Sequence, residues 1–260
     1  MSSFDEQSAR GFVLLPRLVG PAETARLGEA AESVLARVTG RAAAGPAEVT
    51  VWPDGHRLEE VDGTTVHWEP GARPPVVRSL SPVTHLDPAL DALWDDDRIA
   101  APMRRMVGSA RLGRFTSKLN FKRAGVGSEF RWHQDHPYWY CFAGPDARDV
   151  ATAVVFLDDA TVDNGAIQLV PGSHLAGPAP RDRSEPTGLL VDAARTDVRG
   201  ALTVEAPAGS VLMFPGLVVH RSGPNRTAGD RRSLLLCFQP AGRPELSRLP
   251  YRAERLADLP

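Results

Sequence analysis

This chain has few cysteines, no long apolar run and no large excess of either charge. Its two cysteines, Cys141 and Cys237, are too few for a disulfide framework. No stretch approaches the roughly 18 consecutive apolar residues of a membrane-spanning helix. The segment Met1–Glu6 has neither the basic nor the apolar region of a signal peptide. The sequence therefore predicts a soluble, cytoplasmic protein.

The charges are nearly balanced, with 30 basic and 32 acidic residues and a net charge of −2. The two signs are interspersed, so nothing suggests nucleic acid or a membrane as a partner. With 42% hydrophobic content, 260 residues can bury one large core. We expect a single domain over residues 1–260, with a helical and loop cover in 1–113, a strand-rich core in 114–240 and a tail in 241–260.

Apolar periodicity predicts helices in the first part of the chain and strands in the second. Helices are expected from Pro21 to Val38, Pro88 to Trp94 and Arg98 to Val107, with a break at Gly40 to Pro46. Residues 51–75 are predicted as loops with short strands such as Thr64–Trp68. Eight further short strands are predicted at 114–121, 130–135, 151–157, 166–170, 202–205, 211–214, 218–220 and 233–239. This pattern is typical of a mainly β, jelly-roll core flanked by N-terminal α-helices.

The most informative motif is His133-Gln134-Asp135. On an extended strand, side chains two apart share a face, so an imidazole and a carboxylate would lie side by side. His220, which follows the apolar run 210–219, is a candidate third ligand. Two histidines and one carboxylate form the facial triad of non-haem Fe(II) oxygenases. The histidines without a matching spacing are predicted not to bind metal: His56, His67, His85, His136 and His174.

Two further polar residues are candidates because of their position on predicted strands. Arg231 comes eleven residues after His220 and opens a strand, where a buried guanidinium could bind a carboxylate with two parallel hydrogen bonds. Only one of Arg231 and Arg232 can point inward, because side chains alternate. Gln168 lies between apolar neighbours that face the other way. Its amide is predicted to point into the barrel and bind substrate, with solvent exposure as the alternative.

Four stretches resemble the phytanoyl-CoA dioxygenase family, whose members include ectoine and free-proline hydroxylases. They are Leu119–Lys122, Asn164–His174, Pro207–Ser210 and His220–Asn225 together with Arg231. A weaker likeness at Gly11–Pro16 extends it over most of the chain. The resemblance implies a double-stranded β-helix (cupin-like) core. It also implies Fe(II), 2-oxoglutarate as co-substrate, O2, and ascorbate as a reductant, with succinate and CO2 released.

The resemblance also implies roles for individual residues. His133, Asp135 and His220 would hold the iron; Arg231 and Ser222 would bind the distal carboxylate of 2-oxoglutarate; Lys122 and Phe130 would line its pocket; and Trp139 would contact substrate. For Phe130 and Trp139, packing in the core is the alternative. Related halogenases have a small residue in place of Asp135, so the carboxylate favours hydroxylation, desaturation or another oxidation.

The chain departs from the ectoine hydroxylases at two places. Thr116 stands where they have a glutamine, and residues 140–145 replace a long acidic segment. The substrate is therefore expected to be another small molecule, of secondary metabolism or amino-acid modification. Thr116, Trp139, Gln168, the N-terminal loops and a mobile insertion at Gly177 to Gly200 are expected to select it. The predicted protein is a monomer or homodimer.

Two other classes of function remain open from the sequence. One is a non-catalytic jelly-roll protein that binds a metal or ligand, and the other is a metal-dependent isomerase or lyase. A carboxylate clamp formed by Arg231 and Ser222 argues against both, since neither function requires it. An acyl-CoA substrate is disfavoured, because the arginines between residues 181 and 195 alternate with acidic residues instead of forming a basic cluster.

Overall fold

A computed structural model describes residues 9–44, 48–52 and 55–260. Four α-helices are present in this part of the chain: α1 (Pro21–Ala44), α2 (Pro88–Asp91), α3 (Asp97–Val107) and α4 (Asp135–Ala143). None of the helices in the described ranges has the length and apolar character needed to span a membrane.

Most strands belong to a nine-stranded antiparallel sheet. In spatial order it contains β1 (Val13–Leu15), β11 (Val211–Pro215), β8 (Ala151–Phe156), β13 (Arg231–Pro240), β6 (Leu112–Lys122), β5 (Val77–Ser81), β4 (Thr64–Trp68), β3 (Arg57–Val61) and β2 (Glu48–Val51). The strands that meet at its centre, β8, β13 and β6, are separated by long stretches of sequence. Segments from both halves of the described chain are therefore joined in one hydrogen-bonded layer.

A second, four-stranded sheet faces the first. Its order is β10 (Leu202–Val204), β9 (Ile167–Leu169), β12 (His220–Ser222) and β7 (Phe130–His133). One buried apolar cluster joins the two layers, with Phe156 and Phe214 from the large sheet packed with Ile167 and Leu169 from the small one. This arrangement confirms the predicted jelly-roll core, in which each strand places alternate residues inside the barrel.

The helices cover the outer face of the large sheet. Leu27 and Val34 of α1 and Met103 of α3 belong to one buried cluster with strand residues such as Leu119 and Leu234. The first turn of α3 is capped by Asp96, whose carboxylate accepts a hydrogen bond from the amide of Arg98 at 2.9 Å. Leu119 and Leu234 thus face the helices, and their neighbours along β6 and β13 face the barrel interior.

The first 113 residues contain more β-structure than the sequence indicated. Four short strands, β2 to β5, extend the large sheet beside β6, where loops with short strands such as Thr64–Trp68 had been expected over residues 51–75; that strand is confirmed as β4. Helix α1 continues to Ala44, through the predicted break, because Gly40 is followed by the helix-forming residues Arg41 and Ala42. The rest of that break, residues 45–47, lies outside the described residues.

Helix α4 is a second difference, since this segment had no predicted helix. Its N-terminal residue is Asp135, and Pro137 is tolerated because it lies in the first turn, where the backbone N–H has no intrahelical partner. The C-terminal tail packs on the other end of the helix. Arg252 donates a backbone hydrogen bond to the carbonyl of Cys141 at 2.9 Å, and the Arg255 guanidinium donates to that of Phe142 at 2.6 Å.

Candidate metal centre and co-substrate pocket

Three predicted ligands meet where the small sheet joins helix α4. His133 ends β7 and lies directly opposite His220, the first residue of β12, with ring centroids 4.1 Å apart. The strand was predicted to run to Asp135 but ends at His133. Gln134 nevertheless keeps an extended backbone (φ −116°, ψ 143°), which leaves Asp135 on the same side as His133. The potential donor atoms of the three residues lie within 4.8 Å of one another.

Hydrogen bonds to the backbone orient both imidazoles. The Nδ1 atom of His133 lies 2.7 Å from the carbonyl oxygen of Arg131, and that of His220 lies 3.0 Å from the carbonyl oxygen of Val218. Each Nδ1 therefore carries the proton and donates it, which leaves the lone pair of Nε2 available to a metal. Burial, together with His220, lowers the pKa of His133 well below its ordinary value. The neutral imidazole is the form that binds metal.

Of the two consecutive arginines, Arg231 points inward. Its side chain is buried, with Nη2 donating to the Gly165 carbonyl at 2.8 Å and Nη1 near Ser233 Oγ at 3.3 Å, while Nε has no hydrogen-bond partner in the described part of the chain. Arg232 points outward and forms ion pairs with Asp158 and Glu32. Burial lowers the pKa of Arg231 only to about 10, so the guanidinium keeps its charge at neutral pH. It is a buried cation with no carboxylate within ion-pair distance among the described residues.

Lys122, Phe130 and Ser222 lie close to Arg231. Lys122 is directly opposite Arg231 in the sheet, and its ammonium donates to the carbonyls of Ser128 at 2.7 Å and Gly223 at 2.6 Å. Its Nζ is 5.1 Å from the centre of the Phe130 ring. Ser222 is buried and is paired in register with Phe130. The structure thus brings together the four residues predicted to bind the co-substrate.

Gly165 allows its own loop and the segment after β12 to approach each other closely. Gly165 has φ +83°, and a Cβ atom there would lie 2.2 Å from the carbonyl oxygen of Gly223 and 3.2 Å from Lys122 Cδ. A side chain at this position would push apart the loop that supplies the carbonyl to Arg231 and the segment after β12. Gly165, in the Asn164–His174 stretch that resembles the family, is therefore required by the packing of this pocket.

The three residues predicted to contact substrate have different surroundings. Gln168 lies on the outer face of β9, because Ile167 and Leu169 take the inner face. Its side chain accepts a hydrogen bond from Arg221 at 2.6 Å and donates to Thr203 at 3.0 Å. The prediction of an inward amide is therefore wrong, and the alternative of an outward side chain is correct.

Trp139 is 4% exposed on α4 and packs edge-on against Phe115, with ring centroids 5.7 Å apart, and against Gly216. Packing in the core, which was the alternative given for Trp139, explains its buried position. Thr116 is partly buried on β6 opposite Cys237, a member of the same apolar cluster as Trp139. The predicted insertion at 177–200 lies beside the metal ligands, since Leu190 forms a β-bridge with His133.

Sequence reasoning missed several polar side chains that face the barrel interior. Lys118 and Asn120 alternate with Leu119 and Phe121, whose side chains pack toward the helices. The signal for them was available, because residues two and four positions before Lys122 on one strand must share its face. The Oδ1 atom of Asn120 is buried without a hydrogen-bond partner. His67 of β4 is paired with Ser79 of β5, and Ser79 is paired with Asn120 of β6. Paired residues share a face of the sheet, so His67 also lies on the face that points into the barrel.

Comparisons with known proteins find relatives named as dioxygenases and hydroxylases. An ectoine dioxygenase from Bordetella bronchiseptica is 31% identical over 187 residues, covering 65% of this chain and 59% of that protein. An L-proline trans-4-hydroxylase from Streptomyces griseoviridis is 31% identical over 175 residues, covering 57% and 65%, respectively. The chain thus spans about 59–65% of the length of these curated relatives.

Similarity in three dimensions extends further along the chain. The crystal structure of EctD from S. alaskensis with 2-oxoglutarate and 5-hydroxyectoine superposes with a TM-score of 0.70 at 24% identity, over 96% of this chain and 78% of that one. At this identity the likeness supports the fold. The family model for phytanoyl-CoA dioxygenase (PhyH) matches residues 8–233, which include all three candidate metal ligands and Arg231. The chain is a member of the phytanoyl-CoA dioxygenase family.

Proposed function

We propose that this protein is an Fe(II)- and 2-oxoglutarate-dependent dioxygenase that hydroxylates an unactivated C–H bond of a small molecule and releases succinate and CO2. The observation that carries the proposal is Arg231, a buried guanidinium that has no carboxylate partner among the described residues and lies in the same barrel as the His133, Asp135 and His220 cluster. Family membership and the names of the relatives support the same chemistry. We further propose that residues 1–260 act as one catalytic domain.

The three clustered residues fit a divalent iron site. Two neutral imidazoles with Nε2 available and one carboxylate are the donor set of non-haem Fe(II) oxygenases. The Asp135 carboxylate also lies in the first turn of α4, where the helix dipole favours a negative charge. Packing of Phe214 against His220, with ring centroids 4.8 Å apart, holds that imidazole in place. The three residues would hold iron at one end of the barrel.

The pocket around Arg231 fits the distal carboxylate of 2-oxoglutarate. The unpartnered Nε and the weakly engaged Nη1 provide donors for two charge-assisted hydrogen bonds, and Ser222 supplies a hydroxyl. Lys122, directly opposite Arg231, adds an N–H donor, while Phe130 contributes an apolar wall. When bound, the iron and 2-oxoglutarate supply the oxidising power to activate O2 and break a C–H bond. The chain orients the distal carboxylate through Arg231 and Ser222, and the interior apolar cluster around Phe156 and Phe214 limits the access of water.

The two alternative classes of function do not explain why Arg231 is buried in this pocket. A non-catalytic ligand-binding jelly roll or a metal-dependent isomerase needs no buried guanidinium beside the metal ligands. Removing Arg231 from water without an anion is unfavourable, because burial penalises the charged form. An anionic co-substrate offsets that penalty. The pocket therefore favours a 2-oxoglutarate-dependent enzyme over either alternative.

The test measures succinate and product separately. The protein is incubated with Fe(II), ascorbate and 2-oxoglutarate, first alone and then with candidate small molecules, and analysed by mass spectrometry. We expect slow succinate formation without substrate and a product with one additional oxygen atom with the correct substrate. His220→Ala should abolish both. If the wild-type protein binds neither iron nor 2-oxoglutarate, or if His220→Ala forms succinate at the wild-type rate, the proposal is wrong.

A further inference from the structure

Lys118 is an inward-facing cation that the proposed chemistry does not use. It lies on β6 on the same face as Lys122, opposite Leu235, which packs with the interior apolar cluster. Among the described residues, the ammonium group of Lys118 has no hydrogen bond or ion pair. By contrast, the ammonium of Lys122 is held by two carbonyls, and Arg78 contacts Glu69 and the carbonyl of Glu129.

The groups facing Lys118 do not neutralise it. Burial lowers its pKa, Arg78 acts in the same direction, and Asp135 and Cys237 act against it. Asp135 is the only carboxylate among these groups, and a bound metal ion would take its charge. Lys118 would then be a partly buried cation with no anion of its own. Such a charge is costly to keep unless a ligand supplies the missing partner.

The position of Lys118 separates it from the co-substrate pocket. It is four residues from Lys122 along β6, a distance of about 13 Å between Cα atoms at the usual rise of a strand. Lys122 is the residue opposite Arg231, whereas Lys118 is opposite Leu235, four residues further along β13, and interacts electrostatically with Asp135. An anion bound by Lys118 is therefore not the distal carboxylate of 2-oxoglutarate.

His67 is the second polar group on this part of the sheet. It shares the inward face through its pairing with Ser79 and, beyond it, Asn120. Burial, with the charge of Lys118 next in importance, lowers the pKa of His67 to about 3. The imidazole is therefore neutral at physiological pH, and its N–H is available as a donor. A lysine ammonium and a neutral imidazole N–H suit an oxyanion.

We propose that Lys118, with His67 on the same sheet face, binds an anionic group of the substrate, a carboxylate or a phosphate, and so orients the substrate toward the His133, Asp135 and His220 cluster. The proposal rests on the dioxygenase function proposed above and specifies its substrate class. It makes Lys118 a specificity-determining residue, distinct from the residues that bind metal and 2-oxoglutarate.

The test uses three probes that differ only in the group carried by one ring: cyclohexanecarboxylate, cyclohexyl phosphate and cyclohexanecarboxamide. Each is titrated by calorimetry or ligand-observed NMR into the full chain loaded with Zn(II), which is redox-inert, and 2-oxoglutarate. We expect at least one anionic probe to bind about tenfold more tightly than the neutral amide, as for a hydrogen bond to a charged group. Which anion binds better distinguishes a carboxylate substrate from a phosphate.

Variants then assign the preference to Lys118. Lys118→Met and Lys118→Gln should each abolish it, while Lys118→Arg should retain it. Arg221→Met removes one cation from the outer face of the small sheet and should leave the preference unchanged. The proposal is overturned if the wild-type protein does not distinguish anion from amide, or if the preference survives in Lys118→Met and Lys118→Gln.

Two further readouts separate this proposal from its alternatives. The dissociation constant for 2-oxoglutarate should be unchanged in Lys118→Met, and a tenfold rise would assign Lys118 to the co-substrate instead. The ligand-free Lys118→Met variant should have a higher Tm than the wild type, because an uncompensated charge has been removed. If the protein binds neither Zn(II) nor 2-oxoglutarate, the proposed function fails, and the probes titrated into the metal-free protein still decide whether Lys118 binds an anion.

Discussion

Replacing Arg231 by glutamine tests the carboxylate pocket most directly. In the structure one guanidinium nitrogen is held by the Gly165 carbonyl, while Nε has no partner and Nη1 is only weakly engaged by Ser233. Arg231→Gln therefore removes the two hydrogen bonds offered to a carboxylate together with the positive charge. Hydrogen bonds to charged groups contribute about 1.5–3 kcal/mol each. A loss of about 3 kcal/mol corresponds to a roughly hundredfold weaker affinity for 2-oxoglutarate.

The assay is calorimetric titration of 2-oxoglutarate into the Zn(II)-loaded protein, which measures the dissociation constant without turnover. Arg232→Gln is the matched control. Arg232 differs by one position and points outward to Asp158 and Glu32, so its loss should change the affinity less than about threefold. If Arg231→Gln binds 2-oxoglutarate as tightly as the wild type, or if Arg232→Gln shows the large loss, the assignment of the inward arginine is refuted.

Three other predictions concern the triad, the core and a buried lysine. His220→Ala should lose bound iron during dialysis while circular dichroism stays unchanged; stoichiometric iron in the dialysed variant would contradict the metal assignment. Trp139→Ala should lower the free energy of unfolding in urea by about 3–5 kcal/mol, as for other buried aromatic residues; a loss below about 1 kcal/mol would argue against a packing role. Burial, followed by Arg231, lowers the pKa of Lys122 from 10.5 to about 7, so the folded state binds fewer protons than the unfolded chain between these values. The free energy of unfolding of the wild type relative to Lys122→Met should therefore rise from pH 7 to pH 9, and a flat or falling difference would show that Lys122 stays charged.

The cluster of candidate metal ligands could be predicted from the sequence because the spacing of two of them reflects strand geometry. His133 and Asp135 are two residues apart, and the same-face relation holds through the extended Gln134 even though the strand ends earlier. Alternation also correctly allowed only one inward arginine. Which arginine it was depends on the pairing of Arg231 with Lys122, and a register across two distant strands is a tertiary property.

The prediction for Gln168 was wrong because the alternation of side chains along a strand does not determine which face of the strand lies inside the barrel. Gln168 was expected to point inward because its neighbours face the other way, yet those neighbours, Ile167 and Leu169, are the residues that fill the barrel. Apolar residues usually take the buried side, and this preference outweighs a polar candidate role. Helix α4 was missed because its nine residues are apolar on most sides and show almost no amphipathic periodicity.

The junction at which β7 becomes α4 has a mechanical consequence. Asp135 is the first residue of a nine-residue helix, and the opposite end of that helix accepts hydrogen bonds from Arg252 and Arg255 of the tail. A metal ion bound to the Asp135 carboxylate would therefore restrain one end of helix α4. The C-terminal tail is hydrogen-bonded to the other end of the same helix. Amide hydrogen exchange around residues 252–255 should slow when the protein is loaded with metal, although these residues bind none of it, while exchange in α1 should not change. The order of the tail would thus report, from the far end of α4, whether the iron site is occupied.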